Sequence, residues 1–342
     1  MATPRRSSRA GSMPAATAER DESRTEAMGQ LVAKRYSTSR FANLADHTYV
    51  ECGTGGKGWS CWGGKTGGAE LRRGVGSTKR ADDIAGSDGR GGITCYLVNG
   101  VCHQAANRIL LPAGITVRGA RGYEVSEALF GTYGRPGGVF GLCQAPFDQH
   151  AGSTGDIPEC AAPTGLAKRL RGARGRKPGT SPAERKYLQG VLAIYRKARE
   201  PLKSARRARS FAAGRDLEGF HLELFMHQVD FKLRSQVDRT VDRRLRNIRR
   251  STERSRQRIE EWFRNRQMTI AEFVREFDAE TTVFQHSVAG ALKPAQYARL
   301  FDLSPGTTVT LADPRIVRKA FGPSDRTGAK RSPVYWGRGA RK

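Results

Sequence analysis

The sequence predicts an α+β fold: a small strand-and-helix domain, then a long-helix hairpin region, with disordered tails. Three observations predict it. All six cysteines (Cys52, Cys61, Cys95, Cys102, Cys143 and Cys160) lie in one Gly-rich block. Short β-type segments in that block are bounded by turn residues and accompany one short helix. After residue 165, helical periodicity and arginine take over. The net charge is +3 over residues 1–46, +1 over 47–164 and +23 over 165–342, within a total of +27 for 342 residues. A length of 342 residues allows two or three domains with real cores. The expected division is a basic tail over 1–40, a Gly/Cys-rich α+β domain over 41–165, a basic linker over 166–182, an Arg-rich helical region over 183–303 and a short basic segment over 304–342.

The elements follow in order. The polar N-terminal stretch reads as a tail, with a short helix over Thr25–Lys34 as an option. His47–Cys52 is β-branched and aromatic and ends at Gly53, which predicts a strand. Lys57–Trp62, between Gly-rich turns, is the candidate next strand, and Ile93–Val98, stopped by Asn99-Gly100, another. Cys102–Leu111 predicts a helix, with Cys102, Ala105, Ala106 and Ile109 on one face and Pro112 and Gly114 ending it. Thr116-Val117 and Tyr123–Tyr133 suggest a further strand and short helix. Ala183–Arg209 and Leu217–Arg266 predict two longer helices. The second carries an apolar stripe of Leu233, Val237, Val241, Leu245, Ile248, Ile259 and Phe263. The stripe predicts an antiparallel hairpin between the two. Thr269–Phe277, opened by a Thr269–Glu272 capping pair, and Leu292–Phe301 are further helices, and Pro305-Gly306 ends the helical part.

One constellation carries chemistry. Cys102 opens a helix, where free N–H groups and the helix dipole favour negative charge. That position predicts a lowered thiol pKa and donors ready for an oxyanion. His47, at a strand start, is the candidate general base. Ser60 on the following strand and Glu51 on the His47 face are candidates to orient it. His103 and Gln104 are expected to line the substrate site. Cys95 is the second candidate nucleophile, but sits mid-strand. His150 is the second candidate base, but falls in a loop.

The order of a histidine at a strand start, then a cysteine at a helix start, resembles the circularly permuted papain-like thiol hydrolases, including the lecithin–retinol acyltransferase relatives. The resemblance covers about residues 41–146. It implies a small papain-like α+β domain, a covalent thioester intermediate, and hydrolysis or transfer of an amide or ester acyl group. It places the nucleophile at Cys102 and the general base at His47, with a third polar residue on the next strand, where Ser60 stands. The cysteine context, Gly100-Val101-Cys102-His103-Gln104, departs from the Asn-Cys start common in the acyltransferase relatives. The expected partner is an acyl or peptide-type substrate, with no cofactor and no metal.

Other uses of the same residues compete. The cysteines and histidines could form a zinc scaffold, although none of the spacings is a CxxC pair. Disulfides need an oxidising compartment. The first thirty residues lack the apolar core of a secretory signal, and no run of about 18 apolar residues occurs, so a cytoplasmic location without a membrane span is expected. Gly63-Gly64-Lys65-Thr66 is no phosphate loop, because Trp59 stands where its first glycine belongs. In the basic half, Arg243, Arg246, Arg250 and Arg254 are candidates for contact with nucleic acid or another anionic surface. The helical region also offers self-association. The alternative to the enzyme is therefore a nucleic-acid- or partner-binding protein with a Cys-rich scaffold.

Overall fold

Four strands form one antiparallel sheet: β1 (Met28–Tyr36), β2 (His47–Cys52), β3 (Gly58–Trp59) and β4 (Ala69–Ser77), in the order β3-β2-β1-β4. The computed structural model describes residues 28–38, 43–53, 57–64, 67–93, 95–135, 180–208 and 212–322. The combination of an antiparallel sheet with helices is α+β, as the sequence predicts.

Strand β2 has the expected bounds. β1 corrects the expectation of a tail or helix over Thr25–Lys34. Met28, Gln30, Leu31, Ala33 and Lys34 favour a helix locally, but this segment pairs on both edges and buries Leu31, Val32 and Ala33 at the sheet centre. β4 also went unpredicted, because Gly74 and Gly76 weaken its strand character. Those glycines admit the 3-10 turn Leu111–Ala113: a Cβ on Gly76 would lie 2.5 Å from the Pro112 carbonyl. The Lys57–Trp62 strand shortens to β3, since the chain turns at Cys61–Gly63 with Trp62 at φ 57°.

The Ile93–Val98 strand is likewise corrected. Its described residues form a buried turn. Leu97 adopts φ 66°, Val98 and Asn99 N–H donate to the Cys95 carbonyl, and the Asn99 side chain accepts from Cys95 N–H at 3.0 Å. Asparagine has replaced the sheet ladder as the backbone's partner. Thr116-Val117 forms no strand either: Val117 N–H donates to the Asn107 side chain at 2.9 Å.

Helices α1 (Thr78–Ala85), α2 (Cys102–Ile109) and α3 (Tyr123–Phe130) complete this block. α2 is buried along its whole length. Its Arg108 donates to the carbonyls of Tyr133, Gly91 and Arg135, and its Asn107 to that of Thr132. These bonds fix α2, and Cys102 with it.

Two helices, α4 (Pro182–Ala208) and α5 (Ala212–Leu233), form an antiparallel hairpin, with Tyr187 stacked on Phe231 at 4.4 Å and Tyr195 edge-on to Phe220 at 4.9 Å. The predicted continuous helix Leu217–Arg266 is broken. α5 stops at a 3-10 turn over Arg234–Gln236, with Arg234 at φ 52°. α6 (Arg239–Arg264) restarts under an Asp238 cap that accepts from Thr240 and Val241 N–H. The hairpin partner of α4 is therefore α5, while the Arg-rich α6 packs on α7 (Ile270–Ala289), where Phe263 and Phe273 stack at 4.3 Å. The Thr269–Glu272 capping box forms as predicted. After α8 (Pro294–Phe301) comes a helix that Pro305-Gly306 was expected to preclude, α9 (Pro314–Phe321). Asp313 caps it, and Pro314 sits where its missing N–H costs nothing.

One core cluster joins Tyr96–Val98, Val101 and the α3 residues Val125 and Ala128–Phe130 to apolar side chains of α5 through α9. A second joins the sheet, α1 and α2 to α4 and α5.

Candidate active site

His47 opens β2 and is buried. Its Nε2 lies 3.0 Å from Ser60 Oγ and 3.3 Å from the Gly64 carbonyl. A carbonyl only accepts, so the ring hydrogen resides on Nε2. That leaves Nδ1 as the unprotonated nitrogen, and it is buried without a hydrogen-bond partner. The Tyr36 ring stacks on His47 at 5.9 Å, and Tyr49 stacks on Tyr36 at 5.2 Å. Gly63 closes over the imidazole so tightly that a Cβ there would fall 2.2 Å from Nε2. Burial pushes the ring pKa down to about 4, against the raising effects of the Gly64 carbonyl and Asp313. The imidazole is therefore neutral at neutral pH.

Cys102 is the first residue of α2. Its thiol contacts the Asp46 carbonyl at 3.8 Å. The residues on either side of His47 thus form the seat of the sulfur. The expected lowered thiol pKa is corrected. Burial pushes the Cys102 thiol up to about 11, outweighing the lowering effect of the Thr48 and His103 backbone. The helix-end effect predicted from sequence is present, and desolvation exceeds it. Thiol and imidazole make no hydrogen bond to each other: Nε2 is engaged by Ser60 and Gly64, and the thiol by Asp46. Cys61 shares an apolar cluster with Cys102, Ile93 and Ala105.

The structure sets Ser60 against the His47 ring and the Cys102 thiol against the backbone of Asp46, the residue before His47. Glu51 is turned away, paired with Lys34 at 2.6 Å. His103 does not line an open site. It is fully buried, with Nδ1 2.8 Å from Ser126 Oγ and Nε2 2.9 Å from the Asp46 carbonyl. Gln104 is buried too. Its oxygen accepts from Val101 N–H, and its amide donates to Ser126 Oγ and the Gly131 carbonyl. The polar groups of both residues are used inside the fold, where they hold the start of α2. Cys95 lies in the buried turn, its thiol raised to about 12 by burial. His150, Cys143 and Cys160 lie outside the described residues. Cys52, Cys61, Cys95 and Cys102 are free thiols. Among the described residues, no group of three or more His, Cys, Asp or Glu is placed to hold a metal ion.

Of the four candidate arginines on α6, Arg246 is paired with Asp242 at 2.6 Å and Arg254 with Glu218 at 2.9 Å, while Arg250 reaches Glu218 at 3.9 Å. Arg243 is exposed and lines an open hollow of about 420 Å³ with Arg239, Asp242 and Arg246. No helix among the described residues is long and apolar enough to cross a membrane.

Sequence reasoning missed Asp46 and Thr48, which seat the sulfur through backbone groups that carry no residue signature. It also missed Asp313. Asp313 caps α9, a helix beyond the point where the sequence was expected to end the helical part.

No protein-family model, curated protein or solved structure matches this chain.

Proposed function

We propose that the protein is a cysteine-dependent hydrolase or acyltransferase acting on an amide or ester, with Cys102 as nucleophile, His47 as general base and Ser60 as the residue orienting His47. The observation that supports this most is the His47 tautomer. Ser60 and Gly64 hold the protonated nitrogen, so the basic one, Nδ1, is buried and unused, while the Cys102 sulfur rests on the carbonyl of the residue before His47.

In the reaction, Nδ1 takes the thiol proton and the sulfur attacks the acyl carbon. Negative charge then appears on the acyl oxygen, near the N–H groups at the start of α2. Collapse of that intermediate expels the amine or alcohol, which receives the proton from His47. A thioester remains on Cys102, and water or an acceptor then attacks it. The described site is closed, with exposures of only 4 % for His47 and 5 % for Cys102. Substrate entry therefore requires the Cys61–Gly64 turn to move off the His47 ring, and opening also relieves the burial that raises the thiol pKa.

An electrophilic thiol probe at neutral pH tests this reading. Labelling at Cys102 is expected in the wild type and in Cys95→Ala, and is expected to be lost in Cys102→Ala and to fall at least tenfold in His47→Ala. Labelling of Cys102 that ignores His47 refutes the pair.

A second reading, contact with nucleic acid or another anionic surface, rests on Arg239 and Arg243. Both are exposed, and neither has a carboxylate partner among the described residues.

A further inference from the structure

The arginines and carboxylates of α6 separate when the chain folds. The helix carries ten arginines, no lysine and only four carboxylates. Two of those carboxylates, Glu253 and Glu260, are buried, where they meet Arg135 from the Gly- and Cys-rich block. Glu253 also lies 2.9 Å from His221 and 3.1 Å from Arg249. On the flanks, Asp242 pairs with Arg246, and Glu261 lies 3.9 Å from Arg264. The helix therefore turns half of its acids inward, toward cations that other segments supply, and its outer face keeps arginine.

That face is continuous. Arg244, Asn247, Ser251, Arg254, Arg258 and Trp262 follow at steps of three or four residues, and every one is exposed. Arg239 and Arg243, also exposed, flank its first turns. From Arg239 to Trp262 the face runs about 35 Å. Carboxylates of other helices reach only part of it. Glu218 on α5 holds Arg254 at 2.9 Å and lies 3.9 Å from Arg250, and Glu280 on α7 is near enough to Arg258 to act on its charge. Arg239, Arg243 and Arg244 pair with no carboxylate among the described residues. At the far end stands Trp262, 47 % exposed, the one large apolar ring left outside among the described residues.

We propose, resting on the second reading above, that this face binds single-stranded nucleic acid, with its arginines on the phosphates and Trp262 stacked on an unpaired base. Guanidinium forks match phosphate oxygens two at a time. Asn247 and Ser251 add neutral donors between them. A base in a duplex has both faces covered by its neighbours, so the Trp262 ring finds its partner in an unpaired strand. A membrane fits less well, because a helix that lies on lipid inserts an apolar face, and this face offers Trp262 alone.

The test uses the full chain and three probes: a labelled oligothymidylate, a DNA duplex of the same length, and vesicles of phosphatidylcholine with phosphatidylserine. The wild type is expected to prefer the single strand. Trp262→Ala is expected to weaken single-strand binding at least about fivefold and to leave duplex binding nearly unchanged. Trp262→Phe, which keeps a ring, is expected to restore most of the loss. Replacing both Arg243 and Arg244 by Gln is expected to reduce the slope of log affinity against log salt by about 1.4. All three positions are exposed, so these variants keep the core intact. Single-strand binding that ignores Trp262, a duplex bound as tightly as the single strand, or binding to vesicles alone overturns the inference while the broader anionic-surface reading stands. Binding to none of the probes, or binding that the Arg243 and Arg244 substitutions leave unchanged, overturns both.

Discussion

At His47, burial and hydrogen bonding act against each other, and burial dominates. The ring titrates at about 4 in the folded protein, and an unfolded chain would hold its proton up to about 6.5. Between those values the unfolded state binds more protons. The His47 contribution is therefore intact above pH 6.5 and is lost as pH falls toward 4. Urea unfolding of the wild type and His47→Gln checks this. The wild type is expected to lose ground to the variant on acidification, by up to about 1.4 kcal/mol per pH unit; a gap that stays constant with pH contradicts it. The residue types of the site were legible in part: Cys102 at a helix start and His47 at a strand start stand where the sequence placed them, while Ser60 falls just past the end of β3 rather than on it. The state of the thiol was not, because its pKa depends on burial and on Asp46 and Thr48 closing in from a segment distant in sequence.

At the level of elements, α6 shows how a charged helix is both surface and core. Leu245, Arg249, Thr252, Arg256, Ile259 and Phe263 recur at three or four residues and are all buried. The apolar stripe read from the sequence includes Leu245, Ile259 and Phe263 and gives no sign that Arg249 and Arg256 are buried beside them. Their burial was hidden because their partners lie elsewhere. Arg249 donates to the carbonyls of Ala128 and Leu129, and Arg256 to that of Leu129, so both satisfy the end of α3. Glu253, fully buried, accepts from Arg135 at 2.9 Å and Arg249 at 3.1 Å and lies 2.9 Å from His221. Arg135 also pairs with Glu260. Glu253→Ala leaves two buried guanidinium groups short of a partner and is expected to cost about 3–5 kcal/mol. Arg254→Ala, which removes an exposed contact to Glu218, is expected to leave stability nearly unchanged. Chemical denaturation of both variants checks the contrast, and equal losses refute the division into inner and outer charges. The break at Arg234 escaped notice for a simpler reason: no Gly or Pro marks it, and only Asp238 signals the restart.

Over the whole molecule, the Gly- and Cys-rich block and the Arg-rich helices share buried surfaces. The first core cluster draws on Tyr96–Val98, α3 and α5 through α9 together. The Arg135–Glu253 and Arg135–Glu260 pairs cross the same boundary. Unfolding is therefore expected to be one cooperative transition. Single-tryptophan variants reporting from Trp59 in the sheet and Trp262 on α6 should give coincident denaturation curves; an earlier transition at Trp262 counts against the shared core. Composition made the two blocks visible as different chemistry. It could not show their contact, because complementary faces such as Arg135 and Glu253 are far apart in sequence and neither is periodic.

The backbone bridge between Leu44 and Thr310, with the bonds of the Tyr96 hydroxyl to Leu311 and Asp313, sets an order of events during synthesis. His47 and Cys102 leave the ribosome long before the segment that reaches back to Leu44 and Tyr96. Until that segment arrives, Tyr96 lacks its carbonyl and amide partners and the strand start at Leu44 lacks its neighbour. A growing chain thus carries an unfinished candidate site, which is completed only when translation has passed the segment leading into α9, the last described helix.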